Sequence, residues 1–466
     1  MVATRYPSLT RWLTSFTINV VLPESEFPYI PKTVEVDIKE GNPYDGLCFT
    51  LTLVGNNITD KSLSPHQTMK QQGRILSSVS LIHAINDGSV SVISILFPIF
   101  KELFNLSYTQ VGIITGGGLF INLIAQLVLG RKADGKNVNT FLLTGLLMTS
   151  LSLVLMTLSN GFITLIFLIF FLRFATSFFH PIGIGWISRT YKKGRLDWAM
   201  GIQSGSADLG AFIAILTTLS ITQLTHWTVP LYVWACICIL GLLVSLALTH
   251  QLKKEFVIVP KETKKLSLKE MAADAFHRMR RIKLLIPAFM ISGASWGVII
   301  TYLPLLLNAR TTLSLPVIGF LVALWAGVGS ITSLSYGKIR SYIHRKKLLV
   351  LSYVTIGILS LFLAVFTHII ILIGVMILLG IAVFLTYPAL FSFVSEVTHE
   401  SVEGWTFGLT FTFQTGGGTI ILLLGGVLSD LFGIWIPFAL LGTLSLIFSL
   451  VLLLNYRKPF AQPIYE

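Results

Sequence analysis

Charge is scarce in this chain. Only 12% of its 466 residues are Asp, Glu, Lys or Arg, against about 25% in an ordinary soluble domain. So few charges cannot clothe a water-facing surface, which excludes a soluble enzyme with an enlarged core. Cysteine is scarce too. Cys48, Cys236 and Cys238 are too few for a disulfide framework. Cys236 and Cys238 lie two residues apart in an apolar run, on different sides of a helix, and read as membrane packing. The sequence also lacks a Walker loop, Cys/His metal spacing and a nucleophile elbow. Direct use of ATP, metal chemistry and hydrolytic catalysis are therefore not signalled. The expectation is no enzyme, no cofactor and no metal.

What is present is hydrophobic. Such residues make up 53% of the chain, in runs long enough for a helix to span the roughly 30 Å of bilayer hydrocarbon. Twelve spans are expected: 75–100, 107–130, 138–158, 161–187, 198–222, 228–249, 282–307, 315–337, 348–367, 369–394, 404–427 and 432–455. The predicted class is an all-α polytopic membrane protein. Its domains are an N-terminal six-helix bundle at 75–249, a linker at 250–281, a C-terminal six-helix bundle at 282–455 and a tail at 456–466. Residues 1–74 contain "PESEFPYIPK" and "EGNPYDG", which break regular structure. They read as a poorly ordered cytoplasmic extension rather than a signal peptide, with Met69 a second candidate start.

The few charges are placed unevenly. With the N-terminus cytoplasmic, the inward loops hold Arg131, Lys132 and Lys136; Arg189, Lys192, Lys193 and Arg195; a series from Lys253 to Lys283; and Lys338, Arg340, Arg345, Lys346 and Lys347. The outward loops hold Lys101 and Arg310. This is the positive-inside asymmetry. It predicts a multi-pass plasma-membrane protein with both termini cytoplasmic, whose expected partners are the lipid bilayer, a small-molecule substrate and protons. It also explains the net charge of +13 without nucleic acid. A monomer is expected.

Self-similarity recurs at an offset of 207 residues. "LSYTQVG" at 106–112 matches "LSLPVIG" at 313–319, Gly130 matches Gly337, "FHP" at 179–181 matches "TYP" at 386–388, and Gly210 matches Gly417. The halves are thus parallel repeats of six helices. Two such halves joined by a basic loop resemble the major facilitator transporters. That resemblance implies a substrate site between the halves near the midplane, exposed alternately by rocking.

Several motifs carry chemistry. In "SLIHAINDGSV", residues 80–90, His83, Asn86 and Asp87 share one helical face by i, i+3 and i+4 spacing. An Asp at a helix centre costs about 2.5–3.5 kcal/mol on insertion scales, so such a residue usually faces a polar cavity. The competing reading is a polar cluster gluing helices together. In "RFATSFFHP", Arg173, Thr176, Ser177 and His180 share a face, and Pro181 is expected to bend the helix. Arg173 supplies a cation for Asp87 to pair with in one state and leave in another. Asp208 is a further titratable candidate. Asp87, Arg173, His180 and Asp208 are the expected proton-coupling residues, and His83, Asn86, Gln203, Trp296, Tyr387 and Gln414 the expected substrate-cavity residues. Trp296 and Tyr387 could equally be packing.

"GRKADGK" at 130–136 resembles the family's signature loop. It implies a cytoplasmic gate of Gly130, Arg131, Lys132 and Asp134, with Asp134 accepting N–H groups at a facing helix N-terminus near Gly404. "HAIND" and "FHP" together resemble the fosmidomycin-resistance branch of the superfamily. That resemblance implies proton-driven efflux of a small organic molecule by alternating access. An uptake permease, by symport or uniport, and a non-transporting membrane sensor are the alternatives.

Overall fold

A computed structural model describes residues 65–133, 136–191, 195–253, 279–366, 368–397 and 403–460, three short strands nearer the N-terminus, and isolated positions between 254 and 278. Two units separate, Met1–Gln67 and Thr68–Glu466. In the first, β1 (Phe16–Ile18), β2 (Val34–Ile38) and β3 (Phe49–Thr52) form an antiparallel meander in the order β1-β2-β3. Phe16 pairs with Val36 and Val36 with Leu51. These strands lie in a stretch where breaker residues give little sign of regular structure. Cys48 lies outside the described residues.

The second unit is helical. Its N-terminal half comprises α1 (Pro65–Ile95), the short α2 (Phe97–Leu103), α3 (Tyr108–Lys132), α4 (Val138–Met156), α5 (Phe162–Thr176), α6 (Phe179–Thr190), α7 (Leu196–Leu224) and α8 (Val229–Thr249). The C-terminal half comprises α9 (Ile286–Arg310), α10 (Leu315–Leu334), the short α11 (Tyr336–Tyr342), α12 (Arg345–Val365), α13 (Ile369–Val397), α14 (Glu403–Phe432) and α15 (Ile436–Leu454). Among the described residues, 12 helical stretches are long and apolar enough to cross a membrane. The count matches the hydropathy reading, but some ends differ. α1 starts at Pro65 rather than 75 and stops at Ile95, where the chain breaks at Leu96 before Pro98 near the start of α2. Its apolar span, Met69–Ile95, is therefore centred beside His83, with Asp87 one turn further on.

Side-chain burial follows from the solvent on each face. Large apolar residues such as Phe167, Leu240 and Ile370 are exposed, as expected where lipid rather than water surrounds the helices. α1 and α9 are the most enclosed spans, 78% and 83% buried, so they occupy equivalent inner positions of their halves. Cys238 is buried and Cys236 exposed, and Ser89 Oγ lies 3.5 Å from the Cys238 sulfur.

The repeat is visible in the contacts. The halves meet along α3 with α14 and α7 with α10, pairs that the 207-residue offset interchanges. A Cβ placed on Gly112 would lie 2.7 Å from the Leu422 carbonyl oxygen, and one on Gly319 would lie 3.4 Å from that of Ile215. Leu422 is the counterpart of Ile215. Within each half, Gly210 of α7 lies against the Ala84 backbone of α1, and Gly417 of α14 against the Met290 backbone of α9. These matched glycines mark where inner helices cross at backbone distance, the use expected of small residues where lipid gives helices no hydrophobic reason to associate.

Candidate functional site

The site forms where α1, α5, α6 and α7 converge. Pro181 supplies no N–H to the preceding turn, and the chain tightens there: Ser177 N–H donates to Phe174 O at 3.2 Å and Phe178 N–H to Ala175 O at 3.5 Å. The expected single span at 161–187 is thus two segments, α5 and α6. The Arg173 carbonyl loses its usual i+4 donor and accepts instead from Asn122 Nδ2 at 3.1 Å and Thr176 Oγ1 at 3.2 Å. Thr176 and Ser177 turn their hydroxyls back onto the helix backbone, so their shared face is used locally.

The step before α6 brings His180 to Asp87. His180 Nε2 lies 3.9 Å from Asp87 Oδ1, and His83 Nε2 lies 3.5 Å from Asp87 Oδ2. Asn86 Nδ2 donates to Asp87 Oδ1 at 3.0 Å. The three polar residues of "HAIND" therefore form one connected cluster. Accessibility is graded: the Asp87 and His180 side chains are 30% and 29% exposed, that of His83 only 7%. His83 is enclosed by Phe179, whose ring stacks at 4.2 Å between centroids, and by Gln203. Its Nδ1 lies 2.6 Å from Gln203 Oε1 and 3.1 Å from Gln203 O.

Arg173 is placed differently from the expected ion pair. Among the described residues no ion pair joins it to Asp87, although its charge acts on that carboxylate. Its stem lies over α3, where a Cβ on Gly118 would come 3.0 Å from Arg173 Cγ. The two histidines are thus the direct partners of Asp87, and the cation is a more distant influence. Asp208 on α7 also acts on Asp87 and, across the divide between halves, on Tyr387.

The other half presents mostly neutral groups. Tyr387 Oη donates to Ser292 O at 3.0 Å, and the Gln414 side chain reaches Tyr387 while its Oε1 is buried without a partner among the described residues. Trp296 packs in an aromatic group with Trp325 and Phe384, centroids 5.0 and 5.6 Å away. His180 stacks on Phe411 of α14 at 6.5 Å, which carries the cluster to the boundary between halves. Of the expected gate, Gly130 packs against Pro181, whose Cβ is 3.3 Å from where its own would lie, and Lys132 is exposed. Asp134 and the Arg131 side chain lie outside the described residues.

Sequence reasoning missed one residue. Asp430, at the C-terminal end of α14, accepts from the backbone N–H groups of Tyr108 and Thr109 at 2.9 and 2.8 Å. It caps the N-terminus of α3 from the opposite half, where exposed N–H groups and the helix dipole favour an anion. The available signal was an acid directly after a long apolar run.

As for metals, His83, Asp87 and His180 are the one trio among the described residues whose candidate ligand atoms gather within 4.8 Å. The same lone pairs accept protons.

Known proteins show the same organisation. A curated relative, the uncharacterized MFS-type transporter YfnC of Bacillus subtilis (strain 168), is 28% identical over 137 residues, 28% of this chain and 34% of the relative. The fosmidomycin resistance protein of Escherichia coli (strain K12) is 30% identical over 107 residues, 23% of this chain and 26% of the relative. These alignments span about a third and a quarter of those relatives. Solved structures agree over a longer stretch. A bacterial homologue of the human lysosomal transporter Spinster, in an inward-facing and unoccupied conformation, superposes with TM-score 0.61 at 15% identity, covering 84% of this chain and 96% of its own. The nucleoside transporter NupG gives 0.67 at 14% identity, covering 82% and 100%. At such identities these two show the fold alone. The sequence profile of the Major Facilitator Superfamily matches residues 79–422, and with twelve spans in two repeated halves behind that match, the chain belongs to the Major Facilitator Superfamily.

Proposed function

We propose that this protein is a proton-coupled exporter of a small organic solute, working by alternating access in the plasma membrane with both termini cytoplasmic. The observation that carries the reading is the cluster of Asp87, His83 and His180 at the boundary between the halves. Ionisable groups inside a membrane span are expensive and mark ion or substrate paths. A carboxylate with two imidazoles can take and release a proton, and its edge at Phe411 links that event to the other half. Asp208 and Arg173 set the surrounding charge, and the neutral groups around Tyr387 and Gln414 shape the solute pocket. The direction, outward, is suggested by the fosmidomycin resistance relative, which makes fosmidomycin the first solute to try.

Two measurements test this. Cells expressing the protein should tolerate more fosmidomycin than control cells, whereas an importer would lower tolerance. In proteoliposomes with an imposed pH gradient, gradient-driven fosmidomycin flux should fall at least about tenfold in Asp87→Asn, a loss of about 1.4 kcal/mol of driving or barrier free energy. Unchanged flux would remove Asp87 from coupling.

A further inference from the structure

The two ring nitrogens of His83 have different tasks. Nδ1 faces the Gln203 backbone carbonyl at 3.1 Å and Gln203 Oε1 at 2.6 Å. A backbone carbonyl can only accept, so Nδ1 carries a hydrogen. Turning the Gln203 amide over would leave that carbonyl in place. In the orientation seen, Gln203 Nε2 donates to Ser204 Oγ at 2.8 Å, a hydroxyl that could serve either orientation of the amide, so the backbone carbonyl is what assigns the hydrogen. Nε2 is then the atom with an open position, and it faces Asp87 Oδ2 at 3.5 Å. A neutral ring with its hydrogen on Nδ1 presents a lone pair there, and an ionised carboxylate presents another. Two lone pairs repel, so the contact is favourable only with a proton between them.

We infer that His83 and Asp87 act as one proton-carrying pair, sharing a proton between Nε2 and Oδ2 as their 3.5 Å separation shortens to hydrogen-bond length, with Gln203 as the residue that positions the ring. This rests on the proton-coupled reading above and moves half of the coupling site onto a residue expected to line the solute cavity.

The neighbours fit such a pair. On α1, Asn86 fills the other carboxylate oxygen. On α6, Phe179 covers the ring face and His180 stands at the Asp87 edge. Arg173 from α5 and Asp208 from α7 act on Asp87 by charge alone. Asp87 and His180 are the more accessible members and His83 is far less exposed, so His83 is the inner seat. The tether also has direction. Gln203 belongs to α7, which packs on α10 of the other half, with a Cβ on Gly205 coming 3.1 Å from Leu334. A charged ring donates more strongly through Nδ1 than a neutral one, so loading the pair tightens α1 onto a helix at the interface between halves.

The test needs no solute. The full-length protein is labelled with nitrogen-15 histidine, placed in nanodiscs and titrated by NMR, with the His83 signals identified by their loss in His83→Asn. That variant keeps a side-chain N–H for Gln203 and has nothing that titrates. The neutral ring should carry its hydrogen on Nδ1, and Asp87→Asn should move the His83 titration midpoint by about one pH unit or more. A neutral ring protonated on Nε2, or a midpoint indifferent to Asp87→Asn, would overturn the pair. Gln203→Leu, which removes Oε1 and keeps the backbone carbonyl, should let the Nε2-protonated form appear and Gln203→Glu should suppress it again; an unaltered spectrum in Gln203→Leu would end the side chain's positioning role and leave the backbone carbonyl as the tether. Lost flux in Asp87→Asn with a ring protonated on Nε2 would keep the carboxylate in coupling and exclude His83. Coupled titration with unchanged flux would preserve the pair and defeat the transport reading.

Discussion

Gln203 constrains His83 twice, through the side-chain oxygen at 2.6 Å and through a backbone carbonyl at 3.1 Å whose acceptor character cannot be altered by rotation or protonation. The polar face of α1 was legible in the sequence, since i, i+3 and i+4 spacing fixes which residues meet on any helix. The partner of Asp87 was not. Arg173 is the louder signal, a full positive charge in an apolar span, but the contact is made by His180. What decides between them is the tightened turn at Ser177–Phe178, a local departure from helical spacing that face-counting assumes away. The cluster also has the donor set of a divalent-cation site, two imidazoles and a carboxylate. If its task is to carry protons, stripping divalent cations with EDTA should leave gradient-driven flux within about twofold of untreated vesicles, well under the tenfold that 1.4 kcal/mol represents. A loss restored by added zinc would show that a metal occupies these donors instead.

Individual helices owe their crossing points to glycine, and here the repeat becomes quantitative. Gly210 against Ala84 and Gly417 against Met290 are the same crossing made twice. Forcing a side chain into a filled interface costs about 1–3 kcal/mol, occasionally more. Gly210→Val and Gly417→Val should therefore lower the melting temperature in detergent by similar amounts, and each should lower the yield of folded protein. Gly201→Ala, where a Cβ would have nothing within 4 Å, should leave both unchanged. A large effect from one crossing and none from the other would mean the halves are not built alike. The number of spans and the offset between halves were readable because lipid enforces span length and a repeat preserves its glycines. The ends of spans were harder to read: α1 extends to Pro65 through the polar "PHQTMKQQGR", a stretch that hydropathy cannot distinguish from a loop.

For the whole molecule, the offset relates two interfaces between halves, α3 with α14 and α7 with α10, but their chemistry differs at one end. Asp430 caps α3 through the N–H groups of Tyr108 and Thr109. The counterpart of Asp430 is Gln223, and that of Thr109 is Pro316, which has no N–H to give. One interface is therefore pinned by a charge-assisted cap, and among the described residues its twin has no such cap at the matching positions. The pinned end is the one remote from the basic loops, where Asn308 Nδ2 also donates to Glu102 across the halves at 2.7 Å. In this conformation these contacts join the halves at that end. Opening it must first release Asp430 from two backbone donors. An N-terminal cap is worth about 0.5–2 kcal/mol, and one or two kcal/mol changes a population about five- to thirty-fold. Asp430→Ala should therefore shift the balance of conformations toward opening at this end. Spin labels at Leu103 and Phe432, both exposed there on opposite halves, should show a larger share of long distances in Asp430→Ala than in the parent. Asp430→Asn, which keeps one acceptor oxygen, should fall between the two. An identical distance distribution in all three proteins would mean the cap follows closure without stabilising it.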